Sequence, residues 1–559
     1  MATPRSLFVP LLLGLLGLLA PAAATTATAT AVVPAVVPAR AGARAPEDPA
    51  VVTTDAGPVR GTVTERGRAF LGVPFAAPPV GERRWRPPQP PAPWSDVRDA
   101  TRFAGACAQP ARPVLGTSET TNEDCLYLNV FTPPGGGGGK PVLVWFHGGS
   151  FVSGSAAHYD ASRLARAGDV VVVTANYRLG PFGFLAHPGL TAEAPGTGSG
   201  NYGLMDQQAV LRWTRANAAA FGGDPAKVTA AGQSSGGLSV CGHLTSPGSR
   251  GLFTRAVIHS APCGVASRPA AEAGSAGTSF ATGAGCLGSD SAVVTCLRGK
   301  PAADLLKAPT SGAAPWWPVS GTPVLPAPPD QAIAAGDYAK VPVLLGNGLD
   351  EGTIHTVILE STGIRFNAVT YPVVLTTLFK LDGPRVAAHY PASNYGGDHR
   401  LAFAAAFGDY LVACPTRESA RQLATATPGR VFAYEFADRT APVLYNVHPD
   451  FPLGAYHGAE LPYLFDYLQA GDLRLNPAQT RLSQAMTTFW TRFLTTTDPA
   501  PGTWPATAPD LYRPLSLAPD AITPRTDFDT AHQCDFWTTI PRPTGQGLLT
   551  TEVRLPRSP

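Results

Sequence analysis

The residues Gly232-Gln233-Ser234-Ser235-Gly236-Gly237 follow directly on the apolar run 228–231. A serine set among glycines just past a strand is how a hydroxyl nucleophile is presented. The chain must turn so sharply there that neighbouring side chains have to be nearly absent. A serine hydroxyl is a weak nucleophile at neutral pH. It needs a base within hydrogen-bond reach, and the base needs a group that fixes its tautomer and offsets its developing charge. Downstream, residues 341–345 read as a strand running into Gly346-Asn347-Gly348-Leu349-Asp350-Glu351-Gly352-Thr353, which places two carboxyl groups just past a strand end. Further on, Gly454-Ala455-Tyr456-His457-Gly458-Ala459-Glu460 sets a histidine among small residues in a loop. Upstream, His147-Gly148-Gly149-Ser150-Phe151 follows a strand ending at Phe146. The amides of Gly148 and Gly149, joined by that of Ser235, are candidates to hold the oxyanion of a tetrahedral intermediate. Asp350 rivals Glu351 for the acid, and His147, His158, His187, His243, His259 and His448 compete with His457 for the base.

The elements that must position these groups follow from the apolar pattern. Short runs rich in β-branched residues recur at 126–131, 141–146, 170–174, 228–231, 256–259, 341–345 and 431–436, interleaved with helical stretches such as 206–219. Continuous rather than alternating apolar runs are expected of strands buried on both faces, so the alternation implies a large, mostly parallel central sheet flanked by helices. In such sheets active groups collect at the carboxyl ends of the strands. The order serine, acid, histidine along the chain is that of the α/β-hydrolase fold.

Composition bounds the rest. The chain has 559 residues and one large domain is expected, over 49–540, with a C-terminal tail at 541–559. Residues 1–24 carry the single charge Arg5, an apolar stretch and then Pro21-Ala22-Ala23-Ala24, the layout of a secretory signal peptide cleaved near Ala24. Residues 25–48 alternate Thr, Ala, Val and Pro and read as a flexible leader. No second apolar run is long enough for a membrane span, so stable membrane insertion is not expected. Lys and Arg total 42 against 40 Asp and Glu, a balance that argues against nucleic acid as a partner. Export makes disulfides the expectation for the eight cysteines, and their spacing does not suit zinc.

Further stretches carry a family resemblance: Gly72-Val73-Pro74-Phe75, Glu123-Asp124-Cys125-Leu126-Tyr127-Leu128-Asn129, His147-Gly148-Gly149, Asn176-Tyr177-Arg178-Leu179-Gly180, Asn201-Tyr202-Gly203-Leu204-Met205-Asp206-Gln207 and Phe221-Gly222-Gly223-Asp224-Pro225. Together they resemble the type B carboxylesterases, the esterase and lipase family that includes the cholinesterases, from about residue 50 to 540. The resemblance implies the triad Ser234, Glu351 and His457, a small-molecule ester as substrate, and no cofactor or metal. It also implies bridges from Cys107 to Cys125, Cys286 to Cys296 and Cys414 to Cys534. Cys241 and Cys263 lie outside the family pattern, but their positions after the nucleophile and after the next strand make a fourth bridge reasonable.

The departures from the family matter too. Gln233 stands where the family has Glu, and Ser235 where it has Ala. The loop between Cys107 and Cys125 contains no Trp, so choline esters are not expected as substrates. If Trp317 aligns with the family's acyl-pocket segment, Gly312 and Ala314 widen the acyl site. Arg84 with Glu123, and Arg178 with Asp206, resemble ion pairs that brace the family's fold. Ser260 is a candidate partner of the triad, and Trp316 and Trp317 are expected in the core rather than at the site.

Overall fold

The computed structural model describes residues 48–265, 267–310, 316–468 and 473–541. The expected signal peptide, the leader up to residue 47, Gly312, Ala314 and the tail beyond 541 lie outside the described residues. The described residues belong to one compact unit that begins at Asp48.

Its frame is an 11-stranded sheet. In chain order the strands are β1 (Thr62–Thr64), β2 (Gly67–Pro74), β3 (Tyr127–Thr132), β4 (Lys140–Phe146), β5 (Val171–Ala175), β6 (Gly223–Gln233), β7 (Arg255–His259), β8 (Val343–Gly348), β9 (Val431–Phe436), β10 (Leu515–Leu517) and β11 (Ile522–Pro524). Across the sheet they lie in the order β1-β2-β3-β5-β4-β6-β7-β8-β9-β10-β11. The pairings from β5 through β10 are parallel, while β1, β2, β3 and β11 join antiparallel. The sheet is therefore mixed, with a parallel centre and antiparallel margins.

The continuous apolar runs have a direct cause. Along β4, Val142, Val144 and Phe146 enter one core while Leu143 and Trp145 enter the other; in β8, Val343 and Leu345 oppose Leu344 in the same way. Two layers of helices cover these faces. On one side lie α1 (Tyr202–Asn217), α2 (Ser235–Thr245) and α4 (Cys414–Ala426), contributing Leu211, Val240 and Leu423. On the other, α5 (Pro477–Thr496) contributes Leu482, Met486, Trp490 and Phe493. A further helix, α3 (Gly352–Ser361), starts one turn past β8.

Register then fixes where the chemistry falls. Gly232 of β6 lies beside Phe146 of β4, Gln233 beside His259 of β7, and His259 beside Gly346 of β8. Because these strands are parallel, their carboxyl ends share one edge, and His147, Ser234, Ser260 and Glu351 all emerge there.

Four disulfides are present, joining Cys107 to Cys125, Cys241 to Cys263, Cys286 to Cys296 and Cys414 to Cys534. The two family ion pairs are buried, not solvated: Arg178 grips Asp206 with two side-chain bonds of 2.7 and 2.8 Å, and Arg84 holds Glu123 while donating to the carbonyls of Leu297, Arg298 and Lys300. No helix among the described residues is long and apolar enough to cross a membrane.

Candidate active site

Ser234 occupies the single residue between β6 and α2, with φ 55° and ψ −126°. A non-glycine residue in this region costs about 1–3 kcal/mol, and the flanking contacts hold it there. Its N–H donates to the carbonyl of His259 at 2.9 Å. Gly236 is demanded by the turn, since a Cβ there would lie 2.0 Å from the carbonyl oxygen of Phe146.

Glu351 is buried at the start of α3. Its Oε2 lies 2.5 Å from Nδ1 of His457, and its Oε1 accepts from Ser260 Oγ and from the Gly348 amide, each at 2.6 Å. Burial alone would raise this carboxyl's pKa, but the attraction of His457 and the three hydrogen bonds outweigh burial and lower it. For His457 burial pushes the imidazole down, and the Glu351 carboxylate, with a smaller contribution from Glu460, lifts it above its ordinary value. A neutral ring that donates Nδ1–H to Glu351 leaves Nε2 with its lone pair. Ser234 and His457 line the same cavity, whose volume is about 280 Å³.

Asp350 turns elsewhere. It meets Arg439 through two bonds of 2.9 Å and accepts from the Ala455 amide at 2.9 Å, which anchors the loop carrying His457. The competing histidines have structural partners. Nε2 of His243 lies 2.9 Å from Gln207, Nε2 of His259 accepts from Trp490 at 3.0 Å, and His187 caps a short helix through Gly189; His448 is exposed. His147 holds the glycine loop: its Nδ1–H donates to the Gly148 carbonyl at 2.8 Å, its ring stacks on Tyr177, and burial drives its pKa down to about 3.

That loop lies against Ser234. A Cβ placed on Gly148 would be 3.0 Å from the Cβ of Ser234. Among the described residues the amide of Gly149 donates to no protein acceptor, that of Gly148 faces the Tyr159 hydroxyl oxygen, and Ser235, first in α2, has no intrahelical acceptor for its N–H. Three backbone N–H groups thus lie around Ser234, those of Gly149 and Ser235 without a protein acceptor among the described residues.

The chain belongs to the carboxylesterase family. The family model for carboxylesterases matches residues 48–537. The chain is 35% identical to the para-nitrobenzyl esterase of Bacillus subtilis (strain 168) over 82% of its own length and 92% of that protein's. It is 37% identical to the fumonisin B1 esterase of Sphingopyxis macrogoltabida, over 82% of this chain and 85% of the relative. It is 33% identical to the acetylcholinesterase of Bungarus fasciatus, over 87% and 85% respectively. Family and relatives make this carboxylesterase-family chain a carboxylic ester hydrolase with an α/β-hydrolase fold.

Some lining residues of this carboxylesterase-family site are not evident from the sequence. His355 stacks edge-on against His457 with ring centres 5.1 Å apart, donates Nδ1–H to the Glu351 carbonyl at 3.0 Å, and is driven by burial to a pKa of about 4. Ile354 and Ile358, one helical turn apart on α3, form an apolar wall with Leu378 and Phe407. The apolar spacing just after Glu351 is the sequence signal that could have found the two isoleucines. Trp316 and Trp317 are both buried in the core as expected; Trp317 also borders the cavity and packs on Phe151, whereas Trp316 packs on Phe280.

Proposed function

We propose that the chain hydrolyses small carboxylic esters through an acyl-enzyme formed on Ser234. His457 Nε2 takes the Ser234 proton as Oγ attacks the ester carbonyl, and the amides of Gly148, Gly149 and Ser235 hold the resulting oxyanion. On collapse the imidazolium hands that proton to the departing alkoxide, so the alcohol leaves neutral. Water then attacks the acyl-enzyme, His457 again accepting and returning the proton, and the acid is released from Ser234. Glu351 orients the ring and offsets its transient charge.

One observation carries this reading: the 2.5 Å contact between Glu351 and His457 beside a cavity onto which Ser234 opens. A cavity of about 280 Å³ falls just below the usual range for small-molecule sites, which favours short esters over long-chain lipids or polyesters. That two relatives are named a para-nitrobenzyl esterase and a fumonisin B1 esterase supports ester hydrolysis as the chemistry. A silent binding module of this fold would have no use for a strained serine with donors around it. Export with cleavage near Ala24, and a single catalytic domain over 49–540, belong to the same reading, and four disulfides are compatible with an extracellular protein.

A fluorophosphonate should label the protein at Ser234 alone, and Ser234→Ala should lose both labelling and hydrolysis of 4-nitrophenyl acetate while unfolding at the same temperature. Turnover at the unmodified rate by Ser234→Ala would overturn the assignment.

A further inference from the structure

Among the described residues that line the cavity above Ser234, Arg112 alone carries a fixed charge; the Glu351 carboxylate lies behind His457, bonded to its Nδ1. His158 and His355, which also line it, are driven by burial to pKa values of about 4, so neither is charged at neutral pH. Gln233 adds a neutral carboxamide. Arg112 is half-buried, and among the described residues its guanidinium pairs with no carboxylate and donates to no carbonyl. Taking an ion partly out of water without a counter-ion costs free energy that an arriving anion would recover.

The backbone that carries the arginine is held in place. The backbone of Arg112 and that of Thr117 exchange both hydrogen bonds, at 2.9 and 3.2 Å, closing a tight turn around Pro113–Leu115. The Cys107 to Cys125 bridge fastens the base of this loop. Gln109 then ties the loop to the glycine segment, accepting from the Gly154 amide at 2.9 Å and donating to its carbonyl at 3.0 Å. Ser153, next to Gly154, donates its amide to the carbonyl of Gly149. The backbone of Arg112 is thereby fixed in register with the residues that would hold the oxyanion, and its side chain supplies a planar, always-charged fork that matches a carboxylate in two-pronged fashion.

We propose that Arg112 makes this an esterase for esters bearing a carboxylate elsewhere in the substrate, in the acyl or the alcohol part, and that it excludes cationic esters. The inference rests on the ester-hydrolase reading of Ser234. Apolar walls limit screening, so one guanidinium acts over the whole small cavity more strongly than at an open surface.

The test compares kcat/KM within two matched pairs: 4-nitrophenyl hydrogen adipate against 4-nitrophenyl heptanoate, and 4-acetoxybenzoate against its methyl ester. The unmodified protein should prefer the anionic member of at least one pair, and added salt should erode that preference. Arg112→Gln should lower the anionic-to-neutral ratio about tenfold or more, chiefly through KM, and Arg112→Glu should invert it. Arg112→Lys should keep part of it. If the ratio stays within about twofold of the unmodified value in Arg112→Gln while the neutral esters are still hydrolysed, the inference is wrong and the esterase reading stands. It is equally wrong if the unmodified protein shows no anionic preference at low salt. If no ester of either pair is turned over by the unmodified protein, the esterase reading itself has failed and the inference goes with it.

Discussion

At the scale of single residues, the Glu351–His457 contact determines how the enzyme should respond to pH. In the proposed mechanism the base is the neutral imidazole of His457, and protonation removes it. Burial disfavours the imidazolium, but the Glu351 carboxylate more than compensates, so the ring keeps its proton to a higher pH than a free histidine would. The acid limb of kcat/KM should accordingly have its midpoint above the ordinary imidazole value of 6.5. Glu351→Gln removes the attraction and leaves burial, so its limb should move to lower pH while kcat falls about 10²–10⁴-fold through loss of the correct tautomer. A limb that stays in place in this variant would detach Glu351 from His457. The proposed triad of Ser234, Glu351 and His457 could be picked out in the sequence because each lies in a short run of small residues. His355 could not, because what brings it to the cavity is packing between segments far apart in the chain. A histidine four residues past Glu351 on α3 looks like any other helical histidine until its neighbour across the cavity is known.

At the scale of elements, the position of β5 relative to α1 depends on one buried ion pair. Arg178, just past β5, reaches Asp206 in the first turns of α1; both side chains are almost wholly out of water, and the Arg178 amide adds a third bond to the same carboxylate at 3.0 Å. Removing one partner leaves the other charge buried and alone, a situation that costs about 3–5 kcal/mol. Asp206→Asn should therefore lower the free energy of unfolding by about that much, read from the urea midpoint at unchanged slope. A loss below about 1 kcal/mol would mean that water reaches the guanidinium. The parallel strands were legible in the sequence because burial on both faces leaves only apolar choices. Their ends were less so: β6 extends back to Gly223 and β8 forward to Gly348, although Gly223-Asp224-Pro225 and Gly346-Asn347-Gly348 look like turns. In β6 the pairing slips between Gly223 and Val228, which accommodates the proline, and in β8 the small residues pair with Tyr434, Glu435 and Phe436. The antiparallel margin was hidden for another reason. β1, β10 and β11 have three residues each, too few to show a period, and β1 is exposed throughout.

At the scale of the whole molecule, the C-terminal segment is fastened to the sheet at the end opposite β1 by a bridge and a charge cluster. Cys414 and Cys534 join α4 to the last described helix across 120 residues of sequence, and a closure that long restricts the unfolded chain considerably. Two residues before Cys534, His532 lies buried between carboxylates: Nδ1 bonds to Asp409 and Nε2 to Glu435 at 2.6 Å, while Arg525 holds the other oxygen of Glu435 and Tyr390 the other oxygen of Asp409. Burial by itself would discharge this ring. The two carboxylates overcome burial and push its pKa up to about 10, against 6.5 for a free imidazole. The folded protein thus binds this proton more tightly than the unfolded chain does. The stabilisation is complete below pH 6.5 and is lost progressively as pH rises through about 10. Unfolding free energy measured in urea from pH 7 to 10 should fall across that window, and His532→Gln, which cannot take up the proton, should flatten the slope while lowering stability at pH 7. If the variant keeps the full alkaline slope, the proton on His532 is not what holds the C-terminal segment, and the bridge to Cys414 must do so alone.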